Sequence, residues 1–215
     1  MAPMIEPRPQ IAIVDYGMGN LRSASKALEH VGAEVVVTHD HRAIGAADAL
    51  VLPGVGAFPE AMRRIVERSL DQVITERVGE GVPLLGICLG MQLLFESSSE
   101  HGGAAGLGLL PGHVDELDSR ALKLPNIGWS PIRLHRESPI TAGIAEEEPF
   151  YFVHTFVARP RAEELIATSQ HGEGFAAVVG SERVFGTQFH PEKSSAAGLQ
   201  MLGNFVSIAA PLAVA

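Results

Sequence analysis

The sequence has little cysteine, little positive charge and no long hydrophobic run. Its single cysteine, Cys88, excludes an internal disulfide and a zinc site built from several cysteines. Lysine and arginine number 16 against 25 aspartate and glutamate residues, which gives a net charge of −9. Because nucleic acids and anionic membranes attract basic surfaces, this balance argues against both as general partners. No segment approaches the ~18–20 continuous apolar residues of a membrane-spanning helix.

The composition is otherwise that of a folded domain. Hydrophobic residues make up 46% of the 215 positions and charged residues 19%, so the chain suits one large domain or at most two small ones. The first nine residues carry three prolines and no apolar stretch of the kind that a secretory signal contains. We therefore expect a disordered leader over residues 1–9, a single domain over residues 10–215 and a cytoplasmic protein.

The first half of the chain alternates short apolar runs with helical spacing of apolar residues. The apolar runs predict four strands, at residues 10–15, 33–38, 48–53 and 82–87. The helical spacing predicts a helix over 21–31, one long helix over 62–74 and a helix that begins at Leu89. Strands that alternate with helices indicate a parallel sheet covered on both faces.

The second half is rich in β-forming residues. Its segments at 150–156, 175–179 and 183–189 have little helix between them, so we expect mixed or antiparallel strands, followed by a closing helix around 199–206. The predicted fold class is α/β, with an open, mixed, largely parallel sheet and helices on both faces. In such sheets ligands bind at the carboxyl ends of the strands, so the residues that follow each strand are the candidates for a site.

Cys88 lies at the end of the fourth predicted strand, within Gly86-Ile-Cys-Leu-Gly90. Glycines two residues before and after the sulfur permit a tight turn and close packing, as in the G-x-S-x-G elbow of hydrolases. The N–H groups of the following helix would favour the thiolate, which is the reactive form. The alternative is a buried structural cysteine.

A thiolate nucleophile needs a proton acceptor that later protonates the leaving group. His190 ends the apolar run 185–189, and Glu192 follows it two residues later. Residues i and i+2 of an extended chain point to the same side, so Glu192 can hold one ring nitrogen while the other faces Cys88. The alternative is a loop histidine beside a solvated glutamate.

Two segments offer backbone donors for an oxyanion. Pro53-Gly54-Val55-Gly56 follows the third strand, and the N–H of Leu89 comes directly after the candidate nucleophile. A phosphate-binding loop is the rival interpretation of the glycines, but the G-K-[ST] ending is missing. His39-Asp40-His41 is more typical of a polar turn than of a metal site. We expect neither a metal nor a cofactor.

Three of these segments together resemble class I (triad) glutamine amidotransferases: Gly86-Ile-Cys-Leu-Gly-Met-Gln92, Pro53-Gly-Val-Gly56 and Gln188-Phe-His-Pro-Glu192. The resemblance implies a flavodoxin-like glutaminase architecture and hydrolysis of glutamine through a glutamyl thioester. It implies that Cys88 is the nucleophile, His190 the base and Glu192 its orienting partner. It also implies contacts to the substrate from Gln92, Glu100, Thr155 and Phe156.

Four further segments are similar to the glutaminase subunits of imidazole glycerol phosphate synthases. They are Asp15-Tyr-Gly-Met-Gly-Asn-Leu-Arg-Ser23, Leu124-Pro-Asn-Ile-Gly-Trp129, Tyr151-Phe-Val-His-Thr155 and Pro191-Glu-Lys-Ser-Ser195. This similarity implies a (βα)8-barrel cyclase as partner, which uses the ammonia to make imidazole glycerol phosphate and an aminoimidazole carboxamide ribotide in histidine biosynthesis. Asn20, Trp129 and Lys193 match positions at or near that contact.

Three other functions stay open at this point. The chain could be the glutaminase subunit of another pathway, such as pyridoxal phosphate synthesis, although the 126–129 and 151–155 segments argue against it. It could be a free-standing cysteine hydrolase, although His190-Pro-Glu192 is typical of amidotransferases. It could be a non-catalytic regulatory module, although all three triad residues are present.

Overall fold

The computed structural model describes residues 8–210. In its first part, strands and helices alternate as the sequence predicts. The elements are β1 (Gln10–Val14), α1 (Leu21–His30), β2 (Glu34–Thr38), α2 (His41–Ala46), β3 (Ala49–Gly54), α3 (Phe58–Glu67), α4 (Leu70–Gly79), β4 (Leu84–Cys88) and α5 (Leu89–Leu93).

The second part is mostly strand, as expected, and closes with one long helix. Its elements are β5 (Ser97–Ser98), β6 (Ala104–Ala105), β7 (Gly112–Glu116), β8 (Asn126–Pro131), β9 (Arg133–Leu134), β10 (Pro149–His154), β11 (Phe156–Pro160), β12 (Leu165–His171), β13 (Glu173–Ser181), β14 (Val184–Thr187) and α6 (Ser195–Ala209).

The main sheet has eight strands in the order β2-β1-β3-β4-β14-β13-β12-β9. The first five strands run parallel, and β13, β12 and β9 pair antiparallel. The parallel part has the order of a flavodoxin-like sheet, in which strand order reverses beside the first strand. The predicted fold class, a mixed and largely parallel α/β sheet, is confirmed.

The core lies on both faces of this sheet. Ile11 and Ile13 of β1 belong to the cluster that contains Leu28 of α1 and Phe205 of α6, whereas Ala12 belongs to the cluster on the other face. That second cluster includes buried residues of α2, α3, α4 and α5. A strand buried on both sides needs a continuous apolar run, which is the pattern that the sequence showed for β1.

The prediction of one long helix over 62–74 was wrong, because the chain forms α3 and α4 with a break at Ser69. The φ angle of Ser69 is +54°, which lies in the left-handed region. The buried face of α3 ends at Ile65, and one further turn of the same helix would place the polar Ser69 in the core. The break instead brings Leu70 and Val73 onto the buried face of α4.

The ends of the chain are described in part. Of the expected leader, residues 1–7 lie outside the described residues, and so do residues 211–215. Pro9 is buried, and its carbonyl oxygen accepts a hydrogen bond from the N–H of Glu34 at 3.0 Å, so the packed chain includes this residue. Within residues 8–210, no helix combines the length and the apolar character that crossing a membrane requires.

Two smaller sheets lie beside the main one. β8 and β10 form an antiparallel pair, and β11, β7, β5 and β6 form a four-stranded sheet. The N–H of His190 donates to the carbonyl oxygen of Tyr151 at 3.0 Å, which holds β10 against the segment after β14. As a result, residues 153–156 lie over the carboxyl ends of the parallel strands.

Candidate active site

A cavity of about 270 Å³ lies at the carboxyl ends of β3 and β4. Such a position is where open α/β sheets bind ligands. The cavity brings together residues from six separate parts of the chain, including both Cys88 and His190. Its lining consists of Val55, Gly56, Cys88, Leu89, Gln92, Glu100, Pro125, Val153, His154, Thr155, Phe156 and His190.

Cys88 is held in a strained turn between β4 and α5. Its φ of +56° and ψ of −111° lie outside the regions that residues with side chains prefer, which is common where a fold fixes a reactive group. The glycines on either side are needed for close packing. A Cβ on Gly90 would overlap the carbonyl oxygen of Leu52, and a Cβ on Gly86 would lie 2.6 Å from the carbonyl oxygen of Gly90.

His190 and Glu192 form a buried hydrogen-bonded pair. Nδ1 of His190 lies 2.8 Å from Oε1 of Glu192, and each side chain is 3% exposed. With Nδ1 as donor to the carboxylate, Nε2 is free to exchange a proton with a substrate. Nε2 is buried and, within residues 8–210, has no hydrogen-bond partner. The histidine ring is therefore oriented by Glu192 and presents its second nitrogen to the cavity.

The charge of His190 depends on its two acidic neighbours. Burial by itself lowers the pKa of His190, but the interactions with the Cys88 sulfur and with the Glu192 carboxylate outweigh it and raise the pKa to about 9. A cationic imidazole favours the thiolate beside it. The thiol and Nε2 form no hydrogen bond of good geometry here, as is usual for catalytic pairs without bound substrate. The pair is suited to nucleophilic attack followed by proton donation.

The candidate oxyanion donors divide into two groups. Val55, Gly56 and Leu89 line the cavity, and within the described chain the N–H groups of Val55 and Gly56 have no partner. Gly56 has a φ of +98°, which favours glycine. Gly54 does not line the cavity, since it lies within β3, opposite Cys88 in the strand register. The structure therefore does not bring Gly54 into the cavity with the other three.

Gln92 of α5 and Glu100, in the segment after β5, both line the cavity. Nε2 of Gln92 donates to the carbonyl oxygen of Phe156 at 2.9 Å, so Gln92 also fixes the strand that carries Phe156. Oε2 of Glu100 accepts from the N–H of Phe58 at the start of α3, at 2.8 Å. The Glu100 side chain is 12% exposed, so its carboxylate is partly desolvated and suited to pair with an ammonium group.

His154 is a cavity residue that the sequence patterns did not single out. Its Nε2 lies 3.0 Å from the amide nitrogen of Asn126, and its Nδ1 lies 3.2 Å from the carbonyl oxygen of Phe156. These partners assign the Nδ1–H tautomer. Burial lowers the pKa of His154 to about 4, so the ring is neutral. The alternation of buried Phe150, Phe152 and His154 along β10 was the available signal.

The three residues matched to a partner contact lie outside the cavity. Trp129 is 52% exposed, and its ring packs edge-on against Tyr151 with centroids 6.0 Å apart. Nζ of Lys193 lies 6.0 Å from the centroid of the same Tyr151 ring. Ile127, 61% exposed, adds to this apolar surface. Asn20 precedes α1, and no hydrogen bond or ring contact joins it to the other three within the described chain.

Replacing Glu192 with glutamine should lower the rate of the glutamine hydrolysis that the sequence resemblance predicts by about 10²-fold or more. The amide keeps the shape of the side chain but removes the charge that helps raise the pKa of His190. A lower pKa means that His190 loses its proton at lower pH, so the basic limb of the pH–rate profile should move to lower pH. Initial rates of glutamate release between pH 6 and 10 would measure both effects.

The exposed Glu182 offers a matched control for that substitution, since it lies in the turn between β13 and β14, at the end of the sheet opposite Cys88. Glu182→Gln should leave rate and profile unchanged. An unshifted profile in Glu192→Gln would contradict the assigned role of Glu192.

Comparison with known proteins identifies the family of this fold and site. The family model described as glutamine amidotransferase class-I matches residues 12–209. The curated protein "Imidazole glycerol phosphate synthase subunit HisH" of Geobacillus thermodenitrificans is 47% identical over 204 residues, covering 92% of this chain and 95% of its own. The HisH subunit of Aquifex aeolicus is 49% identical over 195 residues, covering 90% and 94% of the two chains.

Among solved structures, that of PurLQS from Thermotoga maritima aligns with a TM-score of 0.72 at 21% sequence identity, covering 94% of this chain and 99% of the other. A likeness at that identity supports the fold alone. The family match over nearly the whole chain and the identity to curated relatives show the family as well as the fold. The chain therefore belongs to the class I glutamine amidotransferase family, together with the HisH subunits of imidazole glycerol phosphate synthase.

Proposed function

We propose that this chain is the glutaminase subunit of an imidazole glycerol phosphate synthase and acts in histidine biosynthesis. The observation that carries the proposal is the single cavity in which Cys88 meets His190, with Glu192 bonded behind the ring. The names of the relatives at 47–49% identity support the pathway. We infer that residues 10–215 act as one domain, and a reactive free thiol favours the reducing cytoplasm as its location.

The first half of the reaction forms a thioester. The Cys88 thiolate attacks the side-chain amide carbon of glutamine, a C–S bond forms, and the carbonyl oxygen becomes an oxyanion. The N–H groups of Val55, Gly56 and Leu89, three residues that line the cavity, are the donors proposed to stabilise this charge. His190 then gives its Nε2 proton to the amide nitrogen, so the C–N bond breaks and ammonia leaves.

The second half regenerates the thiolate. His190 is now neutral and takes a proton from a water molecule that attacks the thioester carbon. The tetrahedral adduct collapses, the C–S bond breaks and glutamate is released, while the imidazole keeps the proton. Glu192 stabilises the imidazolium at both stages through its bond to Nδ1. Glu100 and Gln92 are the residues proposed to hold the amino-acid end of the substrate in register with the sulfur.

Ammonia released into water at neutral pH becomes ammonium, so the product needs a sheltered route to a second enzyme. Ile127, Trp129 and Tyr151 form a surface on the strand pair β8–β10, next to the cavity, and the charged Lys193 lies beside Tyr151. A half-exposed tryptophan amid such residues is typical of an interface anchor. We propose that this surface binds the (βα)8-barrel cyclase subunit, which would receive the ammonia.

The test is glutamine hydrolysis by the chain mixed with the imidazole glycerol phosphate cyclase of its own organism. We expect glutamate release together with formation of imidazole glycerol phosphate from glutamine. A complex that uses free ammonium but releases no glutamate from glutamine would overturn the proposal. If the chain releases glutamate at a rate that the cyclase does not change, the proposed glutaminase chemistry stands and the proposed partner is wrong.

Replacing Trp129 with alanine should weaken cyclase binding by about tenfold or more, because truncation removes a central aromatic anchor. Titration calorimetry of the cyclase against each variant would measure the effect. Val37, which is 42% exposed on the edge strand β2, supplies the control. Val37→Ala should bind the cyclase with the affinity of the unaltered chain. If Trp129→Ala also binds with that affinity, Trp129 is not part of the interface.

A further inference from the structure

Tyr16, two residues after β1, has no role in the chemistry described above. Its side chain is fully buried, and its hydroxyl donates to the carbonyl oxygen of Pro53 at 2.8 Å. Burial, with a smaller contribution from Cys88, raises the pKa of this phenol, so it stays protonated and remains a donor. The bond joins the loop after β1 to the end of β3, where the segment with the candidate oxyanion donors begins.

The hydroxyl of Tyr16 also occupies the space beside Gly54. A Cβ on Gly54 would overlap this oxygen and would lie 2.9 Å from Cβ of Leu89. Gly54 is thus enclosed between the phenol and the first residue after the nucleophile. Gly54 of β3 pairs with Cys88 of the neighbouring strand β4. The Tyr16 hydroxyl therefore lies beside the residue that is paired with the proposed nucleophile.

This bond fixes one peptide plane and leaves the next one free. The carbonyl of Pro53 and the N–H of Gly54 belong to the same plane, so a bond to the carbonyl holds both. The following plane carries the N–H of Val55, which has no partner within residues 8–210. Rotation at Gly54 can therefore turn the Val55 N–H without moving the chain before it, since glycine permits a wide range of backbone angles.

We infer that Tyr16 is a positioning residue for glutamine hydrolysis, which holds the Pro53–Gly54 peptide so that the N–H groups that follow it face the oxyanion formed at Cys88. The inference rests on the proposed function, because it assigns a role within that reaction. It concerns the transition state and not the binding of glutamine, since Tyr16 does not line the cavity. A loss of the hydroxyl should therefore affect kcat and not KM.

The test compares Tyr16→Phe with the unaltered chain, both in complex with the cyclase. We expect kcat for glutamine hydrolysis to fall by about 10- to 100-fold with KM unchanged, which is less than the ~10²–10³-fold loss caused by removing an oxyanion donor outright, because the donors remain and only their positioning is weakened. The second readout is the rate at which iodoacetamide alkylates Cys88. This displacement of iodide forms no oxyanion, so its rate should stay the same. Because Cys88 is the single cysteine, the label reports on that sulfur alone.

Ser169 provides a matched control. Its hydroxyl also donates to a proline carbonyl, that of Pro131, at 2.8 Å, and the side chain is buried on β12 away from the cavity. Ser169→Ala removes the same kind of bond and should leave kcat, KM and the alkylation rate unchanged.

The outcomes separate the two proposals. If the unaltered complex does not hydrolyse glutamine, the proposed function fails. If it does and Tyr16→Phe has the same kcat, the inference about Tyr16 is wrong. The inference is also wrong if the alkylation rate of Cys88 in Tyr16→Phe falls as much as kcat does, or if this variant no longer unfolds cooperatively. Either result would show that the hydroxyl supports the fold in general.

Discussion

Replacing Cys88 with alanine should reduce glutamine hydrolysis by about 10⁴-fold or more while the chain remains folded. The sulfur is the only nucleophile on the cavity wall that faces an unpaired imidazole nitrogen, within the chain that the structure describes. Alanine removes one small atom from a site that is 6% exposed, so the loss of packing is slight. The strained turn at this position is set by its neighbours and not by the sulfur.

The readouts for Cys88→Ala are glutamate release, thermal unfolding and cyclase binding. Hydrolysis should disappear, whereas the unfolding midpoint and the affinity for the cyclase should match those of the unaltered chain. The complex should still make imidazole glycerol phosphate when ammonium salts replace glutamine, because only the ammonia source has been lost. Substantial hydrolysis of glutamine by the alanine variant would reject the thioester route.

Replacing Gly90 with alanine should lower the free energy of unfolding by more than about 3 kcal/mol and remove activity. A Cβ at this position would overlap the carbonyl oxygen of Leu52 and would lie 2.7 Å from its carbonyl carbon. Both atoms are backbone of β3, so no side chain can rotate away. The clash would push α5 from the sheet and displace the N–H of Leu89 and the sulfur of Cys88.

Gly79 is the control for this prediction, since a Cβ there meets nothing within 4 Å. It lies in the last turn of α4, where alanine is the better helix former by up to ~1 kcal/mol. Gly79→Ala should therefore be neutral or slightly stabilising. Urea unfolding would compare the two variants. A Gly90→Ala protein as stable as the unaltered chain would contradict the close approach of α5 to β3.

The arrangement of the proposed catalytic residues could be predicted from sequence because its signals are local. The glycines on either side of Cys88 indicate a tight turn, because a side chain at either position would clash with nearby backbone. The structure shows these backbone atoms, which belong to Gly90 and Leu52. His190 and Glu192 are two residues apart, so their pairing follows from the geometry of extended chain. The site residues found in this way meet because strands of a parallel sheet end at the same edge.

The features that sequence did not reveal depend on long-range contacts. The bond between Tyr16 and Pro53 joins residues 37 positions apart, and no local pattern marks it. The hydrogen bond between His154 and Asn126 joins residues 28 positions apart, which meet only through the register of β8 and β10. The break between α3 and α4 is marked in the sequence only by one polar residue, Ser69, within a helical spacing of apolar residues that otherwise continues.

The most direct test of the central claim is to trap the covalent intermediate. The complex with the cyclase is mixed with glutamine, quenched in acid during steady turnover, and the intact chain is weighed by mass spectrometry. We expect a fraction of the chain to carry one glutamyl group that maps to Cys88, and we expect no such adduct in the Cys88→Ala variant. Steady glutamate release without any adduct on Cys88, or with an adduct on another residue, would contradict it.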